Sequence, residues 1–161
     1  MIVKMRIDDR LLHGQIAYSW RAELAYEAIV IASDEAADDN IRKAAMKMSV
    51  PDGVRLAVRR VEAAAELLKN PKLAGMKVFV IVGKPEDAYK LYQLLADRPA
   101  LNIGGMAKAD GKIAFSKAVF TSEEDVAYLD KIDEMGIEIE VRQVPSESVK
   151  KYQSLRKKIK F

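Results

Sequence analysis

The only histidine of the chain, His13, lies in a polar segment between a predicted strand and a predicted helix. Asp8, Asp9 and Arg10 precede it and Gly14 follows it. Neutral imidazole is a nucleophile near neutral pH and can carry a group during a transfer reaction. The segment would suit a phosphoryl group, because a guanidinium and the free N–H groups of a helix start both bind phosphoryl oxygens. A lone histidine is usually a structural or surface residue, so the argument for chemistry depends on this context.

The two aspartates have a structural and a functional interpretation. They can end the strand and accept N–H bonds of the turn. Alternatively, one carboxylate orients the imidazole of His13 and fixes its tautomer. Arg10 would supply positive charge to a bound phosphoryl group, together with the backbone N–H groups of residues 11 to 15.

The remaining residues of the loop are predicted to shape it. Leu11 and Leu12 are expected to anchor the loop in the core. Gly14 gives backbone freedom or lets a ligand approach closely. Gln15 completes the predicted phosphate loop at the start of the helix.

The apolar pattern predicts strands and helices that alternate along the whole chain. Continuous apolar runs at 28–32 and within 77–82 are typical of strands buried on both faces of a parallel sheet. Other strands are predicted at 2–7, 54–58, 100–103, 113–120 and 137–144, the last half-exposed and at an edge. We therefore expect a single α/β domain, an open, mostly parallel twisted sheet with helices on both faces.

Helices are predicted between these strands. They are expected after Gly14, around Ile41, Ala44, Ala45 and Met48, over 61–68, after Pro85, and from Ser122 to Met135. Ser122 and Asp125 form a loose capping box, and Gly136 ends that helix. Residues 147–161 are predicted as a basic amphipathic terminal helix. It either packs on the domain or contacts an anionic lipid or acidic partner surface.

Composition excludes several classes of function. The chain has 161 residues, no cysteine and a net charge of only +3. Disulfides and thiolate chemistry are therefore absent, and a role in nucleic-acid binding has little electrostatic support. The N-terminus is too short and charged for a signal peptide, and no apolar run would span a bilayer. We expect a cytoplasmic protein whose membrane association is peripheral.

Ligand sites of open α/β sheets lie beyond the carboxyl ends of the strands. Three loops expected there carry residues of chemical interest, at 8–15, 83–87 and 102–106. The candidate residues at the border of the site are Lys84, Asn102, Gly104 and Gly105. A solvated lysine and a plain glycine turn remain alternatives for these positions.

The segment RIDDRLLHGQI at 6–16 resembles the active-site segment of one transport family, whose pattern is close to RIDDRLIHGQV. This family comprises the mannose/fructose/sorbose-type IIB components of the bacterial phosphoenolpyruvate-dependent sugar phosphotransferase system. Similar segments follow in the same order: SDEAADDNIRK at 33–43, PDGV at 51–54, NIGGMAKADGK at 102–112 and MGIEIEVRQVP at 135–145. The resemblance thus covers nearly the whole chain.

The resemblance implies a phosphocarrier of doubly wound α/β fold over residues 1–161. By position, His13 would carry the phosphoryl group, Arg10 would be the cation beside the phosphate, and Asp9 would neighbour the imidazole. The expected partners are phospho-IIA and the membrane subunits IIC/IID, with a hexose-type sugar as final acceptor. No cofactor is expected, and homo-oligomerisation is left open. The family also suggests phosphorylation at Nδ1 of the imidazole.

Two other functions compete with this one. A nucleotide-binding domain would need a glycine-rich or Walker-type turn after the first strand, and the sequence has neither there. A non-catalytic adaptor for a membrane assembly would tolerate the loss of His13. A metal site is disfavoured, because one histidine with scattered carboxylates shows no ligand spacing.

Overall fold

The computed structural model describes residues 1–161 and contains nine strands and eight helices, which alternate singly or in short groups. The strands are β1 (Ile2–Asp8), β2 (Ala28–Ala32), β3 (Arg55–Arg59), β4 (Val78–Val82), β5 (Leu101–Gly105), β6 (Ile113–Ser116), β7 (Val119–Thr121), β8 (Ile139–Val141) and β9 (Lys150–Lys151). The helices are α1 (Gly14–Leu24), α2 (Asp34–Ala37), α3 (Asn40–Met48), α4 (Val61–Leu68), α5 (Pro71–Ala74), α6 (Pro85–Leu94), α7 (Glu123–Glu134) and α8 (Tyr152–Arg156).

Seven strands form one sheet in the order β3-β2-β4-β1-β5-β8-β9, and β6 pairs with β7 in a separate hairpin. All neighbours in the large sheet are parallel except β8 and β9, which are antiparallel. The predicted fold class is therefore confirmed. The apolar runs at β2 and β4 are fully buried, as their continuous patterns require.

Side-chain alternation along the strands divides the core into two layers. On one face, residues such as Met5, Ile7 and Val80 pack with α4, α6 and α7. On the other face, residues such as Ile31 and Phe79 pack with α1 and α3. Since successive strand residues point to opposite faces, one short strand supplies both layers.

The position of β1 in the sheet creates the crevice where a ligand site is expected. β1 lies between β4 and β5, yet α1 covers one face while α6 and α7 cover the other. The loop after β1 therefore diverges from the loops after its two neighbours, which is the topological switch point of an open sheet. As predicted, segments 8–15, 83–87 and 102–106 lie at the carboxyl ends of three neighbouring strands, but residues 102–105 belong to β5 itself and not to a loop.

The C-terminal part differs from the sequence-based expectations. The stretch 113–120 is the hairpin of β6 and β7, and β8 is shorter than predicted and fully buried. The sheet edge is β9, whose two lysines are exposed. The predicted terminal helix over 147–161 is reduced to α8, and Tyr152 and Ile159 of the tail are buried against the domain. None of the helices combines the length and the hydropathy needed to cross a membrane.

Candidate active site

His13 occupies the N-cap position of α1, directly after the loop that follows β1. Its backbone is extended, with φ −151° and ψ 146°, and its side chain does not cap the helix. Instead, Nε2 of the imidazole lies 3.0 Å from Oδ2 of Asp8. The His13 side chain remains 21% exposed, whereas that of Asp8 is buried. Asp8 therefore fixes the imidazole at Nε2, and the exposed part of the ring is accessible to a reactant.

The hydrogen bonds of Asp8 determine which ring nitrogen of His13 carries the proton. The same Oδ2 accepts from Arg6, at 3.0 Å from Nη2 and 3.3 Å from Nε. A carboxylate paired with a guanidinium acts as an acceptor, so Nε2 of His13 is assigned as the donor. The lone pair of the neutral imidazole then lies on Nδ1 and faces away from Asp8.

Arg6 is the buried anchor of this arrangement. Its Nη1 donates to Oδ1 of Asn102 at 2.7 Å and to the backbone oxygen of Gln143 at 2.9 Å. Burial lowers the pKa of Arg6, and the ion pair with Asp8 opposes that shift. A Cβ atom at Gly104 would lie 2.0 Å from Cζ of Arg6, so only glycine admits the guanidinium here.

A polar layer continues from Arg6 along the same face of the sheet, across β5 to β8. The side chain of Asn102 donates to Glu140 at 3.3 Å, and Glu140 pairs with Lys4 and Arg142. Trp20 covers this layer: its ring centroid lies 5.3 to 5.6 Å from the cationic groups of Lys4, Arg6 and Arg142. Trp20 also donates to the backbone oxygen of Gln143 at 3.0 Å. Buried charges are tolerated because each has a partner.

The contacts of Asp9 and Arg10 differ from those predicted for them. The imidazole contact assigned to Asp9 is made by Asp8, and the Asp9 carboxylate instead accepts from the backbone N–H of Ala107 at 2.7 Å. Because β1 extends through Asp8, alternation turns Asp8 toward His13 and Asp9 away from it. The guanidinium of Arg10 is exposed and forms no hydrogen bond or ion pair, while its backbone N–H donates to Oδ1 of Asp8.

The two leucines anchor the loop in the core, and Gly14 leaves space beside the backbone. Leu11 and Leu12 are buried as predicted, and Leu11 holds a left-handed φ of 58°, which is strained for a residue with a Cβ. Gly14 has no positive φ, and a Cβ there would meet nothing within 4 Å. A need for backbone freedom therefore does not explain the glycine at position 14. Close approach of a ligand is the explanation that remains. Gln15 is exposed at the second position of α1.

The candidate border residues divide into two groups. Asn102 and Gly104 contact Arg6, and Gly105 accepts a backbone hydrogen bond from Asp9, so all three support the His13 loop. Lys84 instead pairs with Glu35, at 3.2 Å from Nζ to Oε1, and makes no contact with His13. The prediction for Lys84 as part of the site is therefore not supported by its contacts.

Sequence reasoning missed Arg6, Trp20 and Gln143 as supports of the site. Arg6 carried a signal, because a charged residue in a buried strand needs a partner, and Asp8 is two positions on along the same strand face. The contact with Gln143 had no local signal, since it joins residues 137 positions apart.

Comparison with known proteins agrees with the segments quoted above. The family model "PTS system sorbose subfamily IIB component" matches residues 2–161. The mannose-specific EIIAB component of Escherichia coli K12 is 37% identical over 154 residues, 96% of this chain and 48% of that protein. The sorbose-specific EIIB component of Lacticaseibacillus casei is 34% identical over 147 residues, 91% of this chain and 90% of that protein.

The fold is likewise shared with a solved structure. The IIBSor domain of the sorbose permease from Klebsiella pneumoniae superposes with a TM-score of 0.95 at 28% identity, covering 100% of this chain and 99% of that one. The chain spans about half the length of the EIIAB relatives that it matches. With a family model matched over nearly its whole length, the chain belongs to the sorbose-subfamily IIB components of the sugar phosphotransferase system.

Proposed function

We propose that this chain accepts a phosphoryl group on Nδ1 of His13 from phospho-IIA. It then transfers the group to a hexose-type sugar during uptake through the membrane subunits IIC/IID. The observation that carries the proposal is the contact of Nε2 with the Asp8 carboxylate, itself paired with Arg6. This contact leaves Nδ1 as the nucleophilic nitrogen of a neutral ring.

The transfer step needs no general base at His13. The lone pair of Nδ1 forms the new N–P bond while the bond from phosphorus to the donor breaks and its electron pair leaves with the donor. The ring becomes positively charged as the bond forms, because Nε2 keeps its proton. The Asp8 carboxylate, 3.0 Å from Nε2, stabilises that charge where it develops.

Two groups are available for the phosphoryl oxygens. The first N–H groups of α1, at residues 14–16, have no partner within the helix, and the side chain of His13 does not cap them. The Arg10 guanidinium is free of other partners and lies on the same loop. Its planar fork can bind two oxygens while the charge of the transferring group spreads over them. Open space at Gly14 admits the phosphoryl group close to the backbone.

Incubation with phosphoenolpyruvate, enzyme I, HPr and the matching IIA protein tests the proposal. We expect the intact mass to rise by one phosphoryl group that is labile in acid and stable in base. His13→Ala is expected to abolish this labelling. Labelling that persists in His13→Ala, or a wild-type chain that takes up no label from active phospho-IIA, would contradict the proposed function.

A further inference from the structure

Helix α3 packs Met46 on the core and turns a second apolar side toward solvent. Ile41 is 84% exposed and Met48 is 88% exposed, and the two alanines between them are exposed as well. Residues Ile41, Ala44, Ala45 and Met48 follow the spacing i, i+3, i+4 and i+7, so they form one stripe, here named the α3 stripe. Such a stripe normally packs on the core. An exposed apolar stripe is a candidate contact surface for another molecule.

The α3 stripe begins beside the loop that carries His13. Nη2 of Arg42, the neighbour of Ile41, donates to the backbone oxygen of Asp9 at 3.2 Å. The stripe extends about 10 Å from there, the rise of seven helical residues. A protein that reaches His13 from this side therefore meets the α3 stripe in the same contact.

The residues around the stripe restrict the kind of partner. Arg42 and Lys47 flank the stripe on α3, and Arg10 is exposed on the adjacent loop. The carboxylates that precede α3 are already engaged, since Asp38 pairs with Arg60 and Asp39 caps the helix, so the charges left beside the stripe are basic. A partner with an apolar patch beside carboxylates complements this surface. A lipid surface fits less well, because α3 has nine residues and no aromatic side chain, whereas interfacial helices usually anchor through Trp, Phe or Leu.

The small size of the stripe also distinguishes a transient partner from a permanent dimer. Stable protein interfaces use roughly 20 to 30 residues a side, and the stripe offers four side chains. A stripe of this size suits a transient contact better than a permanent dimer. A weak contact suffices where the partner is tethered, because tethering raises the effective concentration. The mannose-specific relatives are named EIIAB, which joins an A and a B part in one protein.

We propose that the α3 stripe is the docking surface for the phospho-IIA protein, an inference that rests on the function proposed above. The IIA surface places its apolar patch on Ile41 and Met48 while its phosphoryl group meets Nδ1 of His13. The basic side chains beside the stripe contact carboxylates of IIA. Docking through the stripe lowers the IIA concentration needed for transfer and leaves the chemistry at His13 unchanged.

The test compares a protein donor with a small donor on the full-length chain. Ile41→Gln combined with Met48→Gln removes the apolar contacts and keeps good helix formers. We measure His13 labelling in single turnovers over a range of phospho-IIA concentrations. In parallel, zwitterionic phosphoramidate serves as donor: its N–P bond breaks, ammonia leaves with the electron pair of that bond, and the lone pair of Nδ1 forms the new N–P bond at His13. The matched control is Leu94→Gln with Val149→Gln, two exposed apolar residues outside α3.

We expect the half-saturating IIA concentration to rise at least tenfold in the α3 variant, with phosphoramidate labelling and the control unchanged. An unchanged IIA dependence overturns the docking proposal. So does an equal loss with phosphoramidate, because the substitutions then act on His13 itself. A dimer that the α3 variant dissociates, at unchanged IIA dependence, assigns the stripe to a second copy instead. Failure of the wild-type chain to accept label from phospho-IIA counts against the proposed function and is separate from these outcomes.

Discussion

The loops after β1 and β4 occupy neighbouring positions and have different chemistry. Their strands pair in parallel, with Ile7 opposite Val82, and each loop leads into a helix. The loop after β1 presents His13 on a buried ion pair of Asp8 and Arg6. The loop after β4 presents Lys84 in an exposed ion pair with a glutamate of α2. Both loops thus lie at the carboxyl edge of the sheet, but only the loop after β1 is supported by a buried ion pair.

This difference indicates how a loop can hold a candidate reactive side chain in one geometry. An exposed ion pair contributes little to stability and does not fix a side chain in one geometry. A buried ion pair with further hydrogen bonds fixes its members, at the cost that each depends on the others. We expect substitutions in the loop after β1 to have large effects, and those in the loop after β4 to have small effects on transfer.

Arg6→Met is expected to have the largest effect. The substitution leaves Asp8 buried without its cation, and breaking a buried pair on one side costs roughly 3 to 5 kcal/mol of unfolding free energy. Urea unfolding measures this change, and transfer to His13 is expected to fall with it. Arg60→Met is the matched control, because Arg60 pairs with Asp34 and Asp38 at the exposed surface and should unfold nearly as the wild type. Equal stability of the two variants would mean that the buried pair does not support the site.

Asp8→Asn separates the chemistry from the folding. Asparagine keeps the shape of the side chain but removes its charge, and its amide can donate to Nε2 of His13 and so favour the wrong tautomer. We expect the rate of labelling by phospho-IIA to fall on the order of 100-fold, or about 2.7 kcal/mol in the barrier. Asp9→Asn is the control, since the Asp9 carboxylate contacts the backbone of Ala107 and leaves the imidazole alone. A larger loss in Asp9→Asn would restore the role that the family resemblance suggested.

Arg10→Lys tests the electrostatics of the exposed side of the loop. The variant is expected to fold normally, because the Arg10 guanidinium is exposed and without partners. It should still accept phosphate, but onward transfer to sugar should fall tenfold or more, about 1.4 kcal/mol, since an ammonium lacks the bidentate fork. Steady-state sugar phosphorylation with IIA and membranes that contain IIC/IID measures it. Lys84→Gln, the cation of the other loop, should turn over at the wild-type rate. Wild-type turnover in both Arg10→Lys and Arg10→Ala would show that Arg10 plays no part.

The sequence predicts those parts of the fold that depend on local pattern. β2 and β4 match their apolar runs, and the predicted capping box of Ser122 and Asp125 is present at α7. The candidate site residues of the loop after β1 could also be selected from the sequence, because the histidine, the arginine and both carboxylates are close together there. The choice between Asp8 and Asp9 needed the exact end of β1, since one residue reverses the direction of a strand side chain.

Long-range contacts account for the rest. The partners of Arg6 come from β5 and from the segment after β8, which only the sheet order brings together. The exposure of α3 is another case: its apolar spacing predicts the helix, but a stripe for the core and a stripe for a partner have the same pattern. In the C-terminal tail, Asp130 of α7 binds Tyr152 and Arg156, the first and last residues of α8.

Asp87→Asn is expected to have the smallest effect on transfer, and it tests the first turn of α6, directly after the loop that follows β4. Burial raises the pKa of the Asp87 carboxyl from 3.8 to about 6, an effect that nearby Lys84 partly offsets. Between about pH 4 and pH 6 the folded protein therefore keeps a proton that the unfolded chain has lost, so stability falls as the pH rises through this interval. Asparagine removes this dependence. The variant should gain stability on the order of 1 kcal/mol at pH 8 and none at pH 4, as urea unfolding at the two pH values would show. His13 labelling should be unchanged, and a loss of labelling would place Asp87 in the site and remove the contrast between the two loops.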